Sequence, residues 1–354
     1  MGQAVLLSGV QIERNIEWLL GNASPPVRYL THTTLLSAPM GSSEAAVLWR
    51  EVETCAEAEE IFSKQADDGS WFAGGSWALK PSYTLEGGID PFTPKYVTTV
   101  WILPLLGEMG FTVRDPRIQK ACEYVLTHGY FQDPVFQEVL QADTAEIGIL
   151  ADRYDFGCRF SQYLIALRSV GHGDDPRIRL GYEILQRNQR ADGGWALEEH
   201  FQARNWSRGC PASSYPASRA LYLSQDAAHR GALIRALEFL AWHLSTKQPD
   251  DLRRFFYHGH SLVHELLMFS ELGVGMHTTA VQTIIEWLKE MYCAEEGCFQ
   301  YKGKAIGEYS RRADEMTSRV AKYRLHHLIE TDWLTYYATR IGKDLRRDIN
   351  IQQA

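Results

Sequence analysis

With 354 residues, 45% of them hydrophobic and 23% charged, the chain has the make-up of a globular protein with a large core. A net charge of -8 excludes the broad basic face that general nucleic-acid binding needs, so no nucleic-acid partner is expected. Six cysteines are too few for a disulfide scaffold, the opening MGQAVLLSGVQIERN carries no basic leader, and no stretch is apolar for long enough to span a membrane. The expectation is a cytoplasmic protein with reduced thiols.

Taken in chain order, the predicted elements are helices of two alternating kinds. One kind carries Glu, Lys and Arg on one side, as an outer wall would: near 11–20, 44–64, 115–127, 175–190, 227–245 and 278–292. The other is apolar around much of its circumference, as an enclosed inner wall requires: near 27–37, 95–110, 157–171, 211–224, 259–273 and 318–330. Two helix starts are near copies, Asp115-Pro116-Arg117-Ile118 and Asp175-Pro176-Arg177-Ile178. Asp at the N-cap accepts from free backbone N–H groups, and Pro at the first helical position has none to satisfy. No alternating β-branched run competes with the helical pattern. Turns from the apolar to the charged helices are short, as at 111–114 and 172–174, while the return connections 65–94, 128–156 and 293–316 are long. Long ordered loops in a compact domain usually carry function, and these would all fall on the rim where the apolar helices begin. Six pairs of this kind are enough to close one ring-shaped domain over residues 1–354, and the aromatic segment 323–341 would pack across the seam.

Several charged helices end in a common signature. Gln65-Ala-Asp-Asp68-Gly69-Ser-Trp71 and Gln189-Arg-Ala-Asp192-Gly193-Gly194-Trp195 share Gln, Asp, Gly and Trp at equal offsets, and Cys293-Ala-Glu-Glu296-Gly297-Cys-Phe299 is a degenerate third copy. Gly permits a sharp exit from the helix, Asp and Gln tie down loose backbone groups, and Trp packs between neighbouring pairs. These turns resemble the QW repeats of squalene–hopene-type (class II) terpene cyclases, whose fold relatives include the protein prenyltransferase β subunits. The chain also resembles, in TPKYVTTVW (93–101) and SPPVRYLTHTTLL (24–36), bacterial proteins named for the prenyltransferase/squalene-oxidase repeat. The resemblance implies an all-α (α/α)6 toroid, a double-walled helical barrel, with Trp71 and Trp195 as structural staples.

For chemistry, the resemblance implies acid-initiated carbocation cyclisation of a polyprenyl substrate, a hydrophobic isoprenoid-type small molecule, with no cofactor. Class II cyclases take their proton from an Asp of a D-x-D-D motif, because an alkene is a very weak base. That motif is absent. The nearest segment by helix position is Asp152-Arg-Tyr-Asp155-Phe-Gly-Cys158, with a thiol where the acid would stand, and Asp143-Thr-Ala echoes the motif's tail. The candidate catalytic residues are therefore Asp155, Asp152, Asp143 and Cys158. Aromatic and basic side chains near the rim are expected to bind substrate: Trp101, Tyr96, Phe160, Tyr163, Tyr215, Trp206, Tyr257, Lys95 and Arg319. Collection of a lipid at a membrane surface is consistent with this reading.

A second reading starts from soft ligands. Cys158, Cys210 and His258 or His260 fall at the starts of three successive apolar helices, a thiolate and imidazole set that suits zinc. It resembles the catalytic zinc site of the prenyltransferase β subunits, with a longer spacing between Cys and His. A third reading is a lipid-binding toroid without catalysis, for which the missing D-x-D-D speaks.

Overall fold

The computed structural model describes residues 5–71, 99–132, 134–141, 160–173, 175–195, 208–248, 252, 262–301 and 330–353. These are mostly helical. The helices are α1 (Gly9–Asn22), α2 (Pro25–Leu30, continued by a π-helical turn Thr31–Leu35), α3 (Ser43–Glu53), α4 (Ala56–Phe62), α5 (Thr99–Glu108), α6 (Pro116–Leu126) and α7 (Pro134–Gln141). They continue as α8 (Ser161–Ser169), α9 (Pro176–Arg187), α10 (Pro211–Ser224), α11 (Arg230–Ser245), α12 (Leu262–Leu272), α13 (Thr279–Glu290) and α14 (Thr331–Gln353). A two-residue antiparallel ladder, β1 (Tyr292–Cys293) with β2 (Cys298–Phe299), lies between α13 and α14.

The two expected kinds of helix are present. In α5 every residue from Thr99 to Leu106 is buried, and in α8 every residue from Ser161 to Leu167. By contrast α6 and α9 bury one side, and both open on the repeated Asp-Pro start. The Asp175 carboxylate accepts from the Arg177 backbone N–H at 2.8 Å and from the Arg177 side chain at 2.9 and 2.7 Å. The guanidinium's hydrogen bond holds the Asp175 carboxyl below its usual range. Its stabilising effect is therefore present above the ordinary carboxylate pKa and lost as pH falls through the lower folded value. Asp175→Ala is expected to destabilise the chain by about 1 kcal/mol in urea denaturation at neutral pH. The gap to wild type should close in strong acid; a gap unchanged by pH would show that the carboxylate's charge is not involved.

Left-handed backbone marks two recurring positions. Ser37, Gly110, Gly171, Gln225 and Gly273, all at positive φ, follow the ends of α2 with its π turn, α5, α8, α10 and α12; Gly69, Gly193 and Gly297 are the glycines of the three QW-type turns. After α5, α8 and α12 the chain closes on the same hydrogen bond, from Phe111, His172 and Val274 N–H to Leu106, Leu167 and Phe269 C=O. This is the helix-ending geometry that only a residue tolerant of positive φ accepts, and it puts the apolar helices on one register.

The chain divides into two compact units, residues 60–240 and residues 1–59 with 241–354. In the first, α8 packs between α5 and α10. A methyl group on Gly107 would stand 2.4 Å from the Ser169 carbonyl oxygen, so α5 and α8 meet backbone to backbone. In the second, α14 packs on α12, α1 and α2, and α2 packs on α3.

Several expected elements differ. The 44–64 helix is broken at Thr54–Cys55 into α3 and α4, and the connection from 128 carries a 3-10 turn (Gly129–Gln132) and α7. The third signature, read as a turn alone, forms the β1–β2 ladder. A helix runs over Thr331–Gln353, and the predicted 318–330 helix lies outside the described residues except for Glu330. No helix among the described residues is long and apolar enough to cross a membrane.

Candidate functional site

The three signature turns fix which way α5, α10 and α14 face. The indole N–H groups of Trp71 and Trp195 donate to Ile61 and Leu185 C=O, each at 2.8 Å. The backbone N–H of each Trp is held by a hydroxyl in the first turn of the following apolar helix, Thr99 Oγ1 at 2.9 Å and Ser214 Oγ at 2.9 Å. Phe299 in the third turn uses Thr335 Oγ1 of α14 at 2.8 Å in the same way. Gln65 donates to its own turn at Gly69 C=O and to Arg117 C=O of α6; Gln189 does the same to Gly193 and to Ala232 C=O of α11. The third turn has Cys293 in place of Gln. There Arg14 of α1 donates to Glu295 C=O at 2.5 Å, and the Asn15 amide, in its better orientation, donates to Gly297 C=O at 2.9 Å while accepting from Thr339.

Thr99, Ser214 and Thr335 therefore point toward the turns. Two residues further on a helix lies about half a turn round, so Trp101, Pro216 and Tyr337 stand on the faces turned away. Counting back from the left-handed residues places Gln162 of α8 and His264 of α12 at the same position. His264, which sequence reasoning missed, is buried, with its ring edge-to-face on Tyr337 at 5.0 Å between centroids. Trp333 stacks on the same Tyr337 ring at 6.1 Å. The buried Glu265 follows in the first turn of α12. The only sequence signal for these two is a His-Glu pair inside the otherwise apolar run LVHELLMF.

Deeper along the same faces lies an ion pair. Arg219 of α10 bonds Glu108 of α5 at 2.5 Å, with both side chains close to nine-tenths buried. α8 packs between these two helices, so the pair reaches past it. Arg340 of α14 and Glu271 of α12 hold the corresponding positions in the other unit, with 3.9 Å between their charged atoms.

The described candidates from sequence are distributed unevenly about this frame. Trp101 is buried on the face turned from Thr99. Phe160 holds the position equivalent to Thr99, and its ring fills the space that a methyl group on Gly181 would occupy, 2.8 Å away. It belongs to a cluster with Phe131, Phe136 and Tyr163 at 5.4–6.0 Å. Tyr215 is buried in α10. Cys210, half-buried, is the N-cap residue of α10; its N–H donates to Trp195 C=O and its carbonyl accepts from Ser213 and Ser214 N–H. Asp143, Asp152, Asp155, Cys158, Lys95, Tyr96, Trp206, Tyr257, His258, His260 and Arg319 lie outside the described residues. Among the described residues no group of three or more His, Cys, Asp or Glu side chains is placed to hold a metal ion. No protein-family model, curated protein or solved structure matches this chain.

Proposed function

We propose that the chain is an (α/α)6 toroid, with α2, α5, α8, α10, α12 and α14 lining a central cavity and the remaining long helices forming the outer wall. One observation carries this reading. Each QW-type turn takes a hydroxyl from the next apolar helix and a side-chain contact to the next charged helix, and the third turn, at the end of α13, takes these from α14 and α1. Contacts that lead from the last charged helix to the first support a ring in this reading.

We propose further that the cavity takes a long apolar isoprenoid chain and cyclises it by protonation. Trp101, Tyr337 and Trp333 support this, because aromatic faces stabilise developing cations through the ring quadrupole. By resemblance the proton comes from Asp143, Asp152 or Asp155. The test is incubation with squalene, farnesyl diphosphate and geranylgeranyl diphosphate, followed by mass-spectrometric analysis of products. Conversion of one substrate is expected, falling about 100-fold or more when all three aspartates become asparagine. Unchanged turnover in that triple variant would overturn the acid mechanism. Tight binding of a prenyl chain without any product would leave a lipid-binding toroid. One zinc per chain by elemental analysis, lost in Cys210→Ala, would replace the cyclase reading with the metal one.

A further inference from the structure

The third QW-type turn differs from the other two in holding a pair of thiols. Cys293 ends β1 and Cys298 begins β2, and the two residues are direct partners across the ladder. Four residues, Ala294 to Gly297, make the connection; Gly297 is at φ +75° and its N–H donates to Cys293 C=O at 2.9 Å. Both cysteines are free thiols.

Directly opposed residues in an antiparallel ladder have Cα atoms about 4.5–5.5 Å apart, inside the roughly 4.4–6.8 Å that a disulfide spans. Their Cβ atoms, about 4.5–5.5 Å apart, must close by about 1 Å to reach disulfide spacing. The short connection is where that movement is taken up. The thiols are unequal. Cys298 is buried and Cys293 half-buried. Burial pushes the Cys298 thiol up to about 11, with the hydrogen-bonded Glu296 carboxylate and the neighbouring Cys293 adding to it. Cys293 is therefore the thiol that an oxidant meets first, and Cys298 is the one held ready opposite it.

We propose that Cys293 and Cys298 form a reversible oxidation site, in which a peroxide converts the cross-strand dithiol into a disulfide that locks the hairpin. The Cys293 thiolate attacks one peroxide oxygen, the O–O bond breaks, and Cys293 becomes a sulfenic acid as the first water leaves. Cys298 sulfur then attacks the Cys293 sulfur and displaces the second water. In sum, two thiols and one hydrogen peroxide give one disulfide and two waters. Dithiol reductants reverse the step. The lock falls on a turn that holds three elements together: Phe299 bonds α14 through Thr335, and Glu295 bonds Arg14 of α1.

The other described cysteines set the background. Cys55 and Cys122 are buried, and burial followed by the Glu123 charge pushes the Cys122 thiol up to about 12. Cys210 is half-buried at the start of α10. The experiment treats full-length reduced protein with stoichiometric hydrogen peroxide and maps the products by mass spectrometry of unreduced peptides. The expected result is a species lighter by two hydrogens, with the link between Cys293 and Cys298 and full recovery on adding dithiothreitol. Cys298→Ser should instead stop at a Cys293 sulfenic acid trapped by dimedone, and Cys293→Ser should remove both signals. Circular dichroism identical to wild type confirms that these small substitutions leave the fold intact, and Cys293→Ala serves if serine does not. Oxidation of Cys293 straight to sulfinic acid with Cys298 present, or a disulfide through any other cysteine, would overturn the proposal.

Discussion

Trp195→Ala is expected to destabilise the chain by about 3–5 kcal/mol, the range for removing a large aromatic side chain from a close-packed interior. Trp195 is 1% exposed. The substitution leaves a cavity between α9 and the start of α10. It also removes the indole donor from the Leu185 carbonyl, and a buried acceptor left without its donor adds about 1–3 kcal/mol of desolvation penalty. Trp195→Phe separates the two effects, since it keeps most of the volume and loses only the N–H. It should fall about 1–3 kcal/mol below wild type. Urea denaturation followed by circular dichroism gives both values. A loss under about 1 kcal/mol for the alanine variant would mean that the turn relaxes around the gap and is no staple.

Arg219→Met carries the second large effect, again about 3–5 kcal/mol, because it takes the Arg219 charge away from the buried Glu108 carboxylate. The pair is worth much less as a pair than either partner's removal suggests, since desolvating two charges offsets most of their attraction. The double variant Glu108→Leu with Arg219→Met should therefore recover most of the loss, ending within about 1–2 kcal/mol of wild type. If the two single losses simply add in the double variant, the ion pair is not coupled and its place between α5 and α10 is incidental.

Much of the fold is legible in the sequence because its punctuation is local. Asp115-Pro116 and Asp175-Pro176 announce helix starts through backbone capping alone. Gly110, Gly171 and Gly273 announce ends because the chain there needs positive φ. Gln65 and Gln189 tie down carbonyls of their own turn and of the next charged helix, as expected, while Trp71 and Trp195 donate their indole N–H groups to the preceding helix. Ser37 and Gln225 hold the same left-handed position without being glycine, so those two ends have no residue-type signal. The place of α14 against the third turn was hidden for another reason. Its register is set by Thr335 reaching Phe299, and a threonine in a helix carries no mark of the turn it will bond. The site was less legible than the fold. Trp101 was read from its place on an apolar helix; Phe160, equally apolar, packs against α9, where Gly181 leaves room for its ring. His264 stands opposite Tyr337 through the packing of α12 on α14, a relation no local pattern encodes.

The contacts of α14 with α1 carry a consequence for how the protein is made. Asn15 bonds Thr339 across 324 positions of sequence, and Arg14 bonds Glu295 across 281. A ribosome releases α1 long before α14 exists, so α1 waits with its buried Asn15 face open until α14 has emerged. Long-range closure of this kind slows folding, because the chain entropy must be given up before the contacts that reward it can form. The α14–α1 contacts are thus among those that form only after most of the described chain has been made.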